Sequence, residues 1–433
     1  MLIASLRLIA LFIYLCVCLS GNSWAQGVLR AEKRAFLPPE TTGIPSDFAP
    51  NGLVYKGFTY YPSITLKQIY TDNVYAEPND GQDDFLTKVT PSIKILKQYG
   101  GLQLATRADV TVERYKRFDG ENTEDHNLVF SGTYTANSRW SMPFSFNYNS
   151  TSVRRGEPLS QSATAEPLGI VSRGASLGLT RRFNRLILNL TGRYDEAFYD
   201  DGKTLITGAP VIYRDNDRQI YSGRLGLRYD LALGAGGRAE HILFANLDIK
   251  DSRYKRRDYV NGGFSGVYRD SVELGGFIGL ETSYEDRLFA NIGIGYFKND
   301  YDDPSLIALD DIDFGAEIEY ALTPKWRLGA EIDREITQDN DIVQGEVETR
   351  YAFTSSYEVY SRLYLDGGIE YTERKYGQDQ QTDKETTYKA GMLYLLNQNW
   401  RLGFDAAVAS FDSSRANQSF DRNIYSLSII GKM

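Results

Sequence analysis

Trp140-Ser141-Met142-Pro143-Phe144-Ser145-Phe146-Asn147-Tyr148-Asn149 carries a large apolar side chain at every second position from Trp140 to Tyr148. Between them stand Ser141, Ser145, Asn147 and Asn149. Successive side chains on a strand point to opposite faces, so this run is a strand with one apolar and one polar face. A helix would space its apolar residues three and four apart, and this run does not. The same alternation returns in Leu102-Leu104-Ala108-Val110-Val112, Leu288-Ala290-Ile292-Ile294-Tyr296, Ile312-Phe314-Ala316-Ile318-Tyr320 and Trp400-Leu402-Phe404-Ala406-Val408.

Eighteen such runs fill the chain from Gly57 to Met433. The breaks between them alternate in length. Short ones fall at Tyr99–Gly101, Asn137–Arg139, Arg182–Asn184, Leu233–Gly237, Ser283–Asp286, Leu322–Lys325, Thr354–Tyr357 and Asn397–Asn399. Longer ones fall at 71–83, 150–172, 200–216, 255–266, 299–309, 372–384 and 412–421. Short turns at one end and long loops at the other mark an all-β transmembrane antiparallel up-and-down β-barrel. The expected count is 18 strands, with 16 as the alternative, because Gly- and Asp-rich breaks are easily miscounted. A soluble sandwich or propeller also alternates, but its strands usually run to about 5–6 residues, shorter than these. Trp140, Trp326 and Trp400 each open a run directly after a short turn. All three would sit at one level of a bilayer, as an aromatic belt requires.

Both cysteines, Cys16 and Cys18, lie within an N-terminal apolar run led by Arg7 and followed by Ser23-Trp24-Ala25. That is the layout of a secretory signal peptide, expected over residues 1–25. The exported chain would then contain no cysteine, so disulfides do not hold it together. Residues 26–56, broken by Pro38, Pro39, Pro45 and Pro50, show no period and read as a flexible periplasmic leader. The barrel is expected over residues 57–433. The last run, Tyr425-Leu427-Ile429-Gly431-Met433, alternates up to the final residue, which suits insertion by the barrel assembly machinery. The net charge of −9 argues against a nucleic-acid partner.

Further residues resemble a known pattern. Tyr60-Tyr61-Pro62-Ser63-Ile64-Thr65-Leu66 is followed by Tyr70-Thr71-Asp72-Asn73-Val74-Tyr75 and then, past an acidic loop, by Val89-Thr90-Pro91-Ser92-Ile93-Lys94-Ile95. Together these resemble the putative beta-barrel porin 2 family of bacterial outer-membrane proteins. The resemblance in motif covers about residues 58 to 115. It implies an outer-membrane barrel associated with exopolysaccharide production or export, and it supplies no catalytic residues.

Catalytic chemistry has little to stand on. His126, in Glu124-Asp125-His126, and His241, which opens a run, fall at opposite ends of the expected barrel. Neither has a neighbour that would make a nucleophile–base pair. Asn79-Asp80 with Asp83-Asp84, and Asn299-Asp300 with Asp302-Asp303, lack the spacing and glycine of a calcium loop and read first as turns. Bridging to lipopolysaccharide through divalent ions is the alternative for them. No enzyme activity, metal or cofactor is expected.

The polar faces carry the functional information. If the apolar faces meet lipid, the alternate residues line the lumen. These are Arg107, Asp109, Glu113, Arg193, Arg224 and Arg228 in the first half, and Asp313, Glu317, Glu319, Arg327, Glu331, Asp333, Glu335, Glu346, Glu348, Arg350, Arg362, Asp366, Glu370, Lys389, Arg401 and Asp405 in the second. Two readings stay open: a channel lining that sets charge selectivity, or a cross-strand ion-pair ladder that holds the wall. Acid exceeds base in the C-terminal half, which favours cations over a polyanion. The expected function is a passive pore or export component for extracellular polysaccharide, the polymer resting on the resemblance alone. The alternatives are a small-solute diffusion porin and a non-conducting barrel whose loops bind a partner or surface glycan. Outer-membrane lipid and lipopolysaccharide are the expected surroundings.

Overall fold

The computed structural model describes residues 48–154, 164–204, 207–231, 239–257, 259–260, 263–264, 266–285, 287–306, 308–337, 346–376, 381–416 and 418–433. A short strand β1 (Leu53–Tyr55) precedes β2 (Phe58–Thr71), β3 (Asp84–Tyr99), β4 (Leu102–Tyr115), β5 (Thr123–Asn137), β6 (Trp140–Val153), β7 (Leu168–Arg182) and β8 (Leu186–Tyr199). Two-residue strands β9 (Gly202–Lys203) and β10 (Pro210–Val211) form a loop hairpin before β11 (Arg218–Asp230) and β12 (Ala239–Tyr254). A second small hairpin, β13 (Tyr259–Val260) with β14 (Gly263–Phe264), precedes β15 (Ser271–Tyr284), β16 (Leu288–Tyr301), β17 (Leu309–Thr323) and β18 (Trp326–Thr337). The wall is completed by β19 (Glu346–Tyr360), β20 (Leu363–Tyr376), β21 (Thr382–Leu395), β22 (Trp400–Ser413) and β23 (Phe420–Lys432).

Every long strand pairs antiparallel with its neighbours in sequence, and β23 returns to pair with β2 from Ser63↔Lys432 to Thr71↔Ile424. The result is a closed antiparallel barrel of 18 strands, as the alternation predicts. Closure leaves the long strands no free edge. Below the end of β23, the edge of β2 is covered by β1, with Leu53↔Tyr60 and Tyr55↔Phe58 in register.

The parity of each strand sorts its side chains cleanly. Leu190, Leu247, Ile278, Ile292, Ile294 and Leu427 stand more than half exposed on the outer surface. On the same strands Asn246, Phe277 and Asn291 are buried on the inner side. An outer surface this apolar is a lipid surface. Trp140, Trp326 and Trp400 open β6, β18 and β22 at the end with short turns. Trp326 stands edge-on to Tyr357 at 6.0 Å and donates Nε1–H to Ser355 Oγ at 2.9 Å.

Strand boundaries depart from expectation in several places, three of which are instructive. Thr354–Tyr357 is no turn; it lies inside β19, whose turn comes after Tyr360. Thr354 and Ser356 are polar because they face the lumen, so their polarity marks a face and not a break. For the same reason the expected break at 150–172 is shorter, because β6 runs to Val153 and β7 begins at Leu168. The break at 372–384 likewise loses its ends to β20 and β21.

Prolines in strands leave a local mark. Pro91 lacks an N–H, and the β3–β4 register runs from Val89↔Val112 directly to Ser92↔Asp109. Pro143 does the same between β6 and β7, where pairing passes from Ser141↔Thr180 to Phe144↔Leu177.

The Thr71-Asp72-Asn73-Val74 stretch locks the seam where the first barrel strand meets the last. Asp72 accepts the backbone N–H of Asn423 at 2.7 Å. Asn73 donates Nδ2–H to Asp421 O at 3.0 Å and to Glu77 O at 2.8 Å, while its Oδ1 accepts the Glu77 N–H at 2.9 Å. Asp84, 1% exposed, accepts the backbone N–H of Arg117 at 2.9 Å.

Candidate functional site

The site the fold offers is the lumen wall. Its chemistry follows from register, because cross-strand neighbours of one parity lie about 4.5–5.5 Å apart. In the C-terminal half, Arg350 on β19 donates to Glu331 of β18 at 2.6 Å and to Glu370 of β20 at 3.5 Å. Lys389 of β21 reaches Glu370 at 3.1 Å. Arg374 joins Glu348 at 2.9 Å and Glu385 at 3.3 Å. These contacts make a continuous ladder across β18 to β21.

The first half is paired in the same way. Arg107 Nε donates to Asp109 at 3.0 Å along β4. Glu113, 3% exposed, takes Arg154 at 3.0 Å and Lys88 at 2.9 Å. Arg193 donates to Asp195 at 2.6 Å, Arg224 pairs with Asp248, and Arg228 reaches Glu281 at 2.9 Å. Across the seam, Lys67 of β2 and Ser426 of β23 both donate to Asp405. The partners Lys88, Arg154, Asp248, Glu281, Arg374 and Glu385 were not singled out from sequence. Their signal was parity on a neighbouring strand, which becomes legible only once register is known.

Asp313, Glu317 and Asp333 sit on the inner face of β17 and β18, each no more than 5% exposed. Glu335 lies beside them, while Glu319 and Arg327 are nearer the short-turn end. Asp366 faces inward on β20. The Glu346 side chain lies outside the described residues. Arg362 is not on the wall; it occupies the β19–β20 turn, because β19 ends three residues later than the expected break.

That turn has another role. Arg362 stacks over the ring of Phe48 at 5.3 Å. Phe48 packs against Tyr364, Leu393 and Leu395, which face inward at the short-turn end. Arg401, 2% exposed, donates to Phe48 O at 3.3 Å, and Gln398 donates to Ala49 O at 2.8 Å. The segment before the barrel therefore crosses from β2 to the inner rim of β20–β22. The signal peptide expected over 1–25 lies outside the described residues.

Phe244 and Phe277 stack at 6.1 Å inside the wall. They lie against Gly279 and Gly293, where a Cβ would clash with their rings. Close approach of ring to backbone is what requires glycine there. The two histidines are not part of the lumen: His126 is exposed on the outer side of β5, and His241 accepts from or donates to Thr282 Oγ1 at 2.7 Å on the outer side of β12. In the β8–β11 connection, burial pushes the Asp217 carboxyl up despite the Tyr199 N–H it accepts at 2.8 Å. Asp201 nearby is partly buried, but hydrogen bonds from Arg214 outweigh that and hold its carboxyl below the usual range.

The sequence profile of the family described as "Putative beta-barrel porin 2" matches residues 45–433. The chain belongs to that family. No curated protein matches the chain. Among solved structures, a BenF-like porin from Pseudomonas fluorescens Pf-5 aligns at 10% identity, covering 86% of this chain and 99% of that one, with a TM-score of 0.47. The outer membrane protein opdK from Pseudomonas aeruginosa aligns at 10% identity over the same shares, with a TM-score of 0.46. The FrpB iron transporter from Neisseria meningitidis aligns at 10% identity, covering 84% of this chain, with a TM-score of 0.48. The chain spans 64% of the length of FrpB and 60% of the ferric citrate transporter FecA. Family and fold together indicate an outer-membrane barrel of porin type.

Proposed function

We propose that the protein is a weakly cation-selective pore of a Gram-negative outer membrane, serving the passage of extracellular polysaccharide. The observation that carries the pore reading is the closed ring of 18 strands with ionised groups on its inner face. Ionised side chains on that face require water or partners, and a ring of this size encloses room for an aqueous path. The family resemblance is what supports the polysaccharide. General diffusion of small solutes is the alternative within the same pore.

The pairing along β18–β21 favours a second reading for part of the wall. Arg350 held between Glu331 and Glu370 is a brace as well as a lining. Selectivity rests on the charge balance of the inner faces of β17 and β18, where Asp313, Glu317, Glu319, Asp333 and Glu335 outnumber Arg327, whether or not each is paired. Carboxylates concentrated in this way raise the local cation concentration.

Purified protein in planar bilayers tests this reading. Stable channels with a modest cation preference are expected. Joint Glu317→Gln, Glu331→Gln and Glu346→Gln replacement should move the reversal potential toward anions. A parent that never conducts would favour the non-conducting barrel, and a conducting parent whose selectivity ignores the triple change would make these groups braces only. Loss of secreted polymer in a deletion strain separates export from general diffusion.

A further inference from the structure

The lumen has two unlike walls. On β5, β6 and β7 the inner faces carry no charge between Asp125 near one rim and Arg182 at the other. What they carry at mid-strand is mostly short hydroxyl and amide side chains. Ser131, Ser145 and Ser176 stand level on three adjacent strands, in register as Ser131↔Ser145 and Ser145↔Ser176. The row beside them is Val129↔Asn147↔Gly174, and the next is Asn127↔Asn149↔Ser172. β6 and β19 stand nine places apart in the ring of eighteen, so this wall faces the ion-pair ladder of β18–β20 directly across the lumen.

Among the described residues, two amide oxygens on the neutral wall accept no hydrogen bond. Asn147 is 5% exposed, and its Oδ1 accepts no hydrogen bond among the described residues. Asn127 donates Nδ2–H to Asp109 at 3.1 Å, while its Oδ1 accepts none. The hydroxyls beside them are both donors and acceptors: Ser145 and Ser176 share one hydrogen bond at 2.7 Å, which leaves each with further capacity. A buried carbonyl oxygen wants a donor, and a neutral wall cannot draw an ion to supply one. A hydroxyl-bearing neutral solute supplies donors and acceptors together, without a counter-ion.

We propose that the inner face of β5–β7 is a binding strip for an uncharged polyhydroxylated chain, a neutral glycan, with Ser145, Asn147 and Ser176 at its centre. The strip rests on the pore reading above and deepens it by naming the wall and the charge class of the solute. The carboxylate-rich wall opposite disfavours acidic polymers, so the two walls select in the same sense.

The test uses maltohexaose as the neutral probe and an oligogalacturonate of six units as the anionic one. Binding to the full-length protein in detergent is measured by calorimetry, independently of conduction, and current block is measured in bilayers. Maltohexaose should bind and block, the anionic hexamer should do neither, and joint Ser145→Ala, Asn147→Ala and Ser176→Ala should weaken maltohexaose binding at least tenfold with open-channel conductance retained. Heat-modifiable gel migration checks that the variant folds, and Asn147→Gln, which keeps the amide, should bind better than Asn147→Ala. His126→Ala, on the outer side of β5, should leave maltohexaose binding unchanged. The strip is refuted if the parent does not bind maltohexaose, if the anionic hexamer binds as well, or if the triple variant binds like the parent. Binding by a parent that does not conduct would keep the strip and sink the pore.

Discussion

Phe144 and Ser145 are adjacent in the chain and face opposite solvents. Phe144 points outward among Phe130 and Phe146 on the apolar surface, with the Phe130 ring at 5.9 Å. Ser145 points inward and bonds Ser176. The same holds for Ala316, outward on β17, and Gly315, inward beside it. Phe144→Arg or Ala316→Arg should therefore cost about 2–4 kcal/mol if the position lies near the midplane. Urea titration of protein folded into lipid vesicles measures this, with Ser145→Asn as the inward comparison, expected within about 0.5 kcal/mol of the parent. Equal losses at both parities would mean that lipid does not bound the wall.

At the scale of elements, parity was legible and pairing was not. The alternation in Leu288–Tyr296 names the outward face of β16 without any structure. It cannot say that Asn291 lies opposite Glu317 on one side and Glu281 on the other, which is a fact of register. Register is set by turn length, and the polar triplet Thr354-Ser355-Ser356 looks like a turn from sequence because its lumen-facing Thr354 and Ser356 share a composition with turn residues. The Phe48 contact was invisible for a different reason: a lone aromatic in a proline-rich stretch has no period to give it away. Its ring docks on Tyr364, Leu393 and Leu395, so Phe48→Ala should release the segment by about 1.5–3 kcal/mol. Limited proteolysis of the folded protein should then cut ahead of β1 faster while β2–β23 stay intact. An unchanged cleavage rate would show that the backbone bonds from Gln398 and Arg401 hold the segment without the ring.

The whole molecule has a polarity that the strand ends dictate. Short connections such as Gly100–Gly101 and Asn397–Asn399 lie at the end that carries Trp140, Trp326 and Trp400. Long ones, including Asp72–Asp83 and Asp302–Ala308, lie at the other. In outer-membrane barrels the short turns face the periplasm, so the long loops of this chain are expected to face outward from the cell. Ser305 is exposed in one such loop and Asn184 in a short turn. With both cysteines of the chain confined to the expected signal peptide, single replacements give a clean readout. Ser305→Cys should react with an impermeant maleimide on intact cells, and Asn184→Cys should react only after the outer membrane is opened. The reverse pattern would invert the barrel. It would also put the Phe48 contact, at the short-turn end, on the cell surface, where the docked segment would meet solutes arriving from outside.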